Sequence, residues 1–163
     1  MKGKKILKTF FRFLLPVLTV AVLLFIFFNS MHDSKTVAAP TKAVTKAVTK
    51  VVKSVSTEKL TSSVANRIAA KIGHAGEFSI FAFLLTLSAA LRRRSAEGLG
   101  FQVLAVSLFS AVTDEYLQTY FDRRTPAVTD VMIDLAGALC GFALALLAGW
   151  LIVRYSSKNR AKN

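Results

Sequence analysis

The chain has 163 residues, with 22 Lys and Arg against 9 Asp and Glu and a formal net charge of +13. Its apolar content of 53% and mean hydropathy of +0.49 exceed those of an ordinary soluble domain. The apolar residues come in long blocks, which excludes a single large soluble core and points to a bilayer.

The positive charge does not imply nucleic acid. Basic residues sit largely at the ends of apolar runs and in one linker, with no aromatic-rich RNA-binding motif and no zinc spacing. Basic flanks of this kind orient a protein in a membrane and hold anionic lipid. A single cysteine, Cys140, excludes an intramolecular disulfide and a Cys-based zinc site. It lies within an apolar run and reads as a small packing residue.

The first apolar run is Phe10 to Phe28, preceded by Lys2, Lys4, Lys5, Lys8 and Arg12. A helix needs about 20 residues to cross the hydrocarbon core, and this run has nearly that. It is longer than the roughly 7–15 residues of a signal-peptide apolar region, and the nearest small-residue cleavage pattern, Thr36–Ala38, lies well beyond its end. The expectation is an uncleaved spanning helix, residues 1–30 with the basic flank.

Residues 31–70 form a different material. Thr-Lys-Ala-Val occurs at 41–44 and again at 45–48, then Thr49-Lys50-Val51-Val52 follows. On a helix this makes a weak, drifting apolar stripe with a basic face, suited to the membrane surface. A flexible polar tether beginning at Pro40 fits equally well.

The second run is Ile72 to Leu91, closed by Arg92-Arg93-Arg94. The third is about Leu99 to Tyr120. A short loop containing Pro126 leads to the fourth, Asp130 to Val153, and a basic tail follows, with residues 156–163 outside the bilayer. Loops this short force antiparallel neighbours. The expected fold is an all-α membrane protein: four transmembrane helices in an antiparallel bundle, with residues 71–155 as a three-helix core. Both termini are expected inside the cell membrane. The N-terminal flank, the Arg92–Arg94 cluster and the tail then satisfy the positive-inside rule, while the outer short loop carries Arg123 and Arg124. The linker, with eight Lys or Arg from Asp33 to Lys71, opposes that orientation. The first helix and the Arg triplet abutting a helix end decide it.

This topology brings polar groups of three helices to one depth. Lys71, His74 and Glu77 open the second run; Asp114, Glu115 and Gln118 close the third; Asp130 and Asp134 open the fourth. Charge at such a depth is costly, so its default reading is functional. Lys71, His74, Glu77, Phe78 and Phe81 share one helical face, and Glu115 and Gln118 share another. Asp130, Asp134, Gly137 and Gly141 form a continuous stripe whose lower part is a small-xxx-small packing seam. Blander roles exist for several of these residues. A lone His74 would be a hydrogen-bonded interfacial residue, Asp130 suits an N-terminal cap, and Arg123 and Arg124 suit interfacial anchors. Asp134 is harder to dismiss, because a carboxylate one turn deeper needs a partner or a proton. Arg124 can pair with these acids or meet an anionic head group.

The segment from Lys71 to Gly141 resembles the VanZ-like family of bacterial membrane proteins. The matching residues are Lys71-x-x-His74-x-x-Glu77-Phe78, Glu115-x-x-Gln118, Arg124-Thr125-Pro126, Asp130, Gly137 and Gly141. Asp134 departs from the pattern, where Asn is usual. The resemblance implies a small multi-span envelope protein linked to tolerance of teicoplanin-type glycopeptides or lipopeptides. It implies no reaction and no cofactor.

Three functions fit the residues. One is a binding protein whose outer polar cluster takes an amphiphilic or lipid-linked ligand. The second is a membrane-embedded enzyme in which His74, Glu115, Asp130 and Asp134 are acid/base groups or ligands of a hard cation such as Mg²⁺. The third is a structural role in which polar groups lock helices together. The oligomeric state is left open.

Overall fold

The computed structural model describes residues 2–31, 50, 62–92, 98–121 and 127–160. Four long helices account for nearly all of them: α1 (Lys2–Met31), α2 (Ser62–Arg92), α3 (Leu99–Gln118) and α4 (Val128–Arg160). No strand occurs among the described residues, so the all-helical expectation holds. Helix α2 begins at Ser62, ten residues ahead of the apolar run that marks it in the sequence. The choice between surface helix and tether for the preceding linker falls almost wholly outside the described residues.

Three of the helices contain stretches long and apolar enough to cross a membrane: Thr9–Met31, Ile68–Arg92 and Val128–Tyr155. Helix α3 is the exception among the four expected spans. At 20 residues it has the length, but Asp114, Glu115 and Gln118 in its last turns lower its apolarity. Those same residues are buried against the other helices, so they face the bundle and not its surroundings. The outer face of α3 is apolar, with Phe101 81% and Phe109 75% exposed.

That inversion holds throughout. Large apolar side chains such as Phe13, Leu24, Ile80, Leu147 and Ile152 cover the outside, whereas Thr19, Ser30, Thr86, Ser107, Ser110, Asp114 and Asp134 are buried. Water would reject such a surface; hydrocarbon favours it and requires polar groups to find partners within the protein. Thr19, Thr86 and Ser110 satisfy their hydroxyls on the carbonyl four residues back, at 2.8, 2.6 and 2.9 Å.

The helices alternate in direction. Near one end, Asn29 and Ser30 of α1 meet Glu77 of α2 and Asp114 of α3. At the opposite end, the Arg92 guanidinium of α2 donates to the Arg12 carbonyl of α1 at 3.4 Å. Pro16 lies four residues after Arg12 within α1 and has no N–H, so that carbonyl lacks its usual helical donor. Arg92 supplies one from a neighbouring helix, which is how a proline is accommodated inside a spanning helix.

Up-down alternation makes α2 and α4 parallel, and they pack most closely. A methyl group added at Gly137 would overlap the backbone of Ala75, and one at Gly141 would overlap the backbone of Ser79. Both pairs step by four residues along both helices, so the seam expected from Gly137 and Gly141 is a parallel, backbone-to-backbone contact. Around it sit two apolar clusters, one of Ile26, Phe78, Phe81 and Ala111 and one of Ala82, Leu99, Val103 and Ala138. Cys140 lies beside this seam but is exposed. The reading of Cys140 as a packing residue is therefore corrected: Gly137 and Gly141 occupy the inward face of α4, and one residue before Gly141 the helix has turned outward.

Candidate functional site

At the end of the bundle where α1 and α3 finish and α2 and α4 begin, all four helices deliver polar groups. Helical periodicity explains why they point inward. On α3 the buried residues are Leu99, Val103, Ser107, Ser110, Ala111, Asp114, Glu115 and Gln118, one stripe that starts apolar and becomes polar as it nears this end. On α4, Asp134 is buried one turn above Gly137, on the face that the glycine seam fixes against α2.

Gln118 is the hub. Its amide donates to Asp114 Oδ2 and to Glu115 Oε1, both at 3.1 Å, and to Ser30 Oγ at 3.4 Å. Ser30 donates to Asp114 Oδ2 at 2.6 Å, a short bond of the charge-assisted kind. The second oxygen of Glu115 accepts the backbone N–H of Ala127 at 2.9 Å, just ahead of α4. One carboxylate thus ties the end of α3 to the start of α4. Glu77 accepts from the Asn29 amide at 2.9 Å through Oε1, and its buried Oε2 has no hydrogen-bond partner among the described residues.

Nearer the surface, Lys71 pairs with Asp130 across the first turns of α2 and α4. With the two side chains 44% and 34% exposed, this pair is partly solvated and weak in energy. Thr129 Oγ also reaches Asp130 at 3.4 Å.

Below that pair lies a tighter group. His74, Asp114 and Asp134 each offer a donor atom, and these atoms lie within 4.8 Å of one another. Among the described residues, this is the group that can share a metal ion. Asp134 is 2% exposed, and the charges of Asp114, Glu115, Asp130 and Glu77 all bear on it.

Seven of the eight polar residues singled out from the sequence (Lys71, His74, Glu77, Glu115, Gln118, Asp130 and Asp134) therefore stand in one region at this end of the bundle. Arg124, with Arg123, lies outside the described residues. Sequence reasoning missed Asn29 and Ser30. The signal was present: the two residues directly follow the first apolar run, and the predicted topology puts them at the same depth as His74 and Asp114. Asp114 belongs at the centre of the region, bonded to α1 and within reach of α2 and α4, a larger part than its place beside Glu115 suggests.

No curated protein and no solved structure matches the chain. A family model described as VanZ/LLP1 matches residues 13–151. This match spans nearly all of the core, takes in α1 from residue 13 onward and includes every described residue of the polar region. On that match, joined to three helices able to cross a membrane, the chain belongs to the VanZ/LLP1 family of membrane proteins.

Proposed function

We propose that this protein acts at the cell envelope, where its polar end binds the head group of an amphiphilic or lipid-linked compound and supports tolerance of glycopeptide- or lipopeptide-type agents. The ligand is an agent of that type or a lipid-linked wall precursor. One observation carries the reading: four helices with an apolar exterior converge their polar side chains on one end, at Asn29, Ser30, Glu77, Asp114, Glu115, Gln118 and Asp134. Such an end offers hydrogen bonds and charge to a head group while the apolar exterior accompanies its lipid portion. On this reading, supported by the basic flank, the Arg92–Arg94 cluster and the basic tail, both termini are cytoplasmic and this end faces outward, where Arg124 supplies a cation for an anionic group.

The test is susceptibility of a deletion strain complemented with variants, alongside blotting for membrane abundance. Glu115→Gln and Arg124→Ala should lose tolerance at near-normal abundance. Asp134→Asn should keep it, since it restores the residue type usual in the family pattern. Replacing Thr41–Lys50 by a Gly/Ser segment should matter less. Full tolerance in both Glu115→Gln and Arg124→Ala, with loss on linker replacement, would move the function to the linker.

A second reading, a membrane-embedded enzyme acting on a lipid-linked substrate, is favoured by the closeness of His74 to Asp114 and Asp134. Imidazole beside carboxylate is a common acid/base pairing. Product formation from a lipid-linked precursor by purified protein, abolished in His74→Asn, would select it over binding alone.

A further inference from the structure

We infer that His74, Asp114 and Asp134 form a site for one divalent transition-metal ion that joins α2, α3 and α4. The inference depends on neither functional reading above.

The geometry is the first ground. One imidazole and two carboxylates from three helices place donor atoms within 4.8 Å of one another. Ligands about 2.1 Å from a tetrahedral ion lie roughly 3.4 Å apart, a distance that small side-chain rotations reach. Three protein ligands leave a position for water or a ligand oxygen. The mixed nitrogen and oxygen set suits Zn²⁺ or Mn²⁺ better than Mg²⁺ or Ca²⁺, which prefer oxygen alone.

The state of Asp134 is an independent ground. It is 2% exposed, it contributes one of the three converging donor atoms, and no hydrogen-bond donor reaches it among the described residues. A buried carboxylate in that condition needs a proton or a cation, and the convergence of His74 and Asp114 on it supplies a place for the cation. The pattern around it sharpens the point. Asp114 stands within reach of it, Glu77, Glu115 and Asp130 add further carboxylates at the same end of the bundle, and among the described residues Lys71 is already engaged with Asp130. An ion of charge +2 on His74, Asp114 and Asp134 offsets this excess where it is most buried.

The surrounding bonds are those of a supported ligand. Ser30 and Gln118 both donate to Asp114 Oδ2, which orients its carboxylate as outer-shell partners orient metal ligands. The glycine seam holds α4 against α2, so the separation of His74 and Asp134 is set by backbone contact and not by flexible side chains.

The test uses the full chain, purified without an affinity tag, in nanodiscs, and equilibrated with Zn²⁺, Mn²⁺ or Mg²⁺. Elemental analysis should find about one Zn²⁺ or Mn²⁺ per chain and little Mg²⁺. His74→Asn and Asp134→Asn should each weaken the ion at least about tenfold, while Glu115→Gln, outside the trio, should retain it. Helix content by circular dichroism checks that each variant folds. Pulsed electron paramagnetic resonance of bound Mn²⁺ in the wild-type chain should show coupling to one imidazole nitrogen, a reading that needs no variant. Wild-type protein without a stoichiometric ion, an ion without nitrogen coupling, or folded His74→Asn and Asp134→Asn that bind as wild type would each overturn the site. Loss of the ion in Asp134→Asn with drug tolerance kept would separate this site from the proposed binding function.

Discussion

Ser30 Oγ stands 2.6 Å from Asp114 Oδ2, linking the last turn of α1 to the last turns of α3 across 84 residues of chain. Both residues are fully buried. The first helix is thus joined to the polar region of the core by a charge-assisted bond and not by apolar packing alone.

Ser30→Ala should remove that bond and leave Asp114 with the Gln118 amide at Oδ2. Hydrogen bonds to charged groups contribute about 1.5–3 kcal/mol in soluble proteins, whereas interhelical polar bonds in a membrane protein average about 0.6. A loss of about 1 kcal/mol is expected. Thermal unfolding in detergent, with Ser157→Ala at an exposed position of α4 as a control, measures it; no difference between the two variants would remove the bond from the stability account.

Gly137→Ala and Gly141→Ala should each destabilise the bundle by about 3 kcal/mol, the upper part of the usual overpacking range, because the obstructing atoms at Ala75 and Ser79 are backbone. Gly149→Ala, where an added methyl meets open space, should be neutral or slightly stabilising. Unfolding midpoints of the three variants side by side decide the matter.

Lys71 and Asp130 should behave differently. A double-mutant cycle with Lys71→Met and Asp130→Asn should give a coupling of at most about 1 kcal/mol that shrinks in high salt, as expected for a partly solvated ion pair. A larger, salt-independent coupling would mean that this pair is sealed from solvent.

Orientation can be read by labelling. In a Cys140→Ser background, a cysteine introduced at the exposed Val128 should react with an impermeant thiol reagent in intact cells, and one introduced at Ser157 should not. The reverse pattern would turn the polar end towards the cytoplasm and remove the basis for meeting extracellular agents.

Much of this was legible in the sequence for one physical reason. In a bilayer the apolar blocks must be helices, and charge within them must turn inward. The Asp130–Asp134–Gly137–Gly141 stripe could be assigned to the bundle interior on spacing; Asp134, Gly137 and Gly141 lie there, while Asp130 stays partly exposed at the end of the stripe. What spacing could not give was rotation between helices and their partner choice. That α2 would pack tightest on α4, its parallel neighbour, required Ala75 and Ser79, whose small side chains draw no attention by themselves. Ser30 escaped notice because a serine at the end of an apolar run reads as a boundary. Cys140 was misplaced because an apolar run does not reveal which of its faces meets lipid. The role of Arg92 in capping the Arg12 carbonyl was implied by Pro16, but the donor could come from any neighbouring helix.

The parallel glycine seam has a consequence for biosynthesis. Helices α2 and α4 are separated in the chain by α3, so the backbone surface that α2 fits most closely leaves the ribosome only after α3. Until then Glu77 and Asp114 have partners in Asn29, Ser30 and Gln118, but Lys71 lacks Asp130 and the second oxygen of Glu115 lacks the Ala127 N–H. Arrival of α4 closes the seam and, with Asp130, brings the carboxylate that engages Lys71. A chain stalled or cut before α4 therefore presents uncompensated polar side chains to lipid, the kind of lesion by which membrane quality control tells an unfinished protein from a finished one.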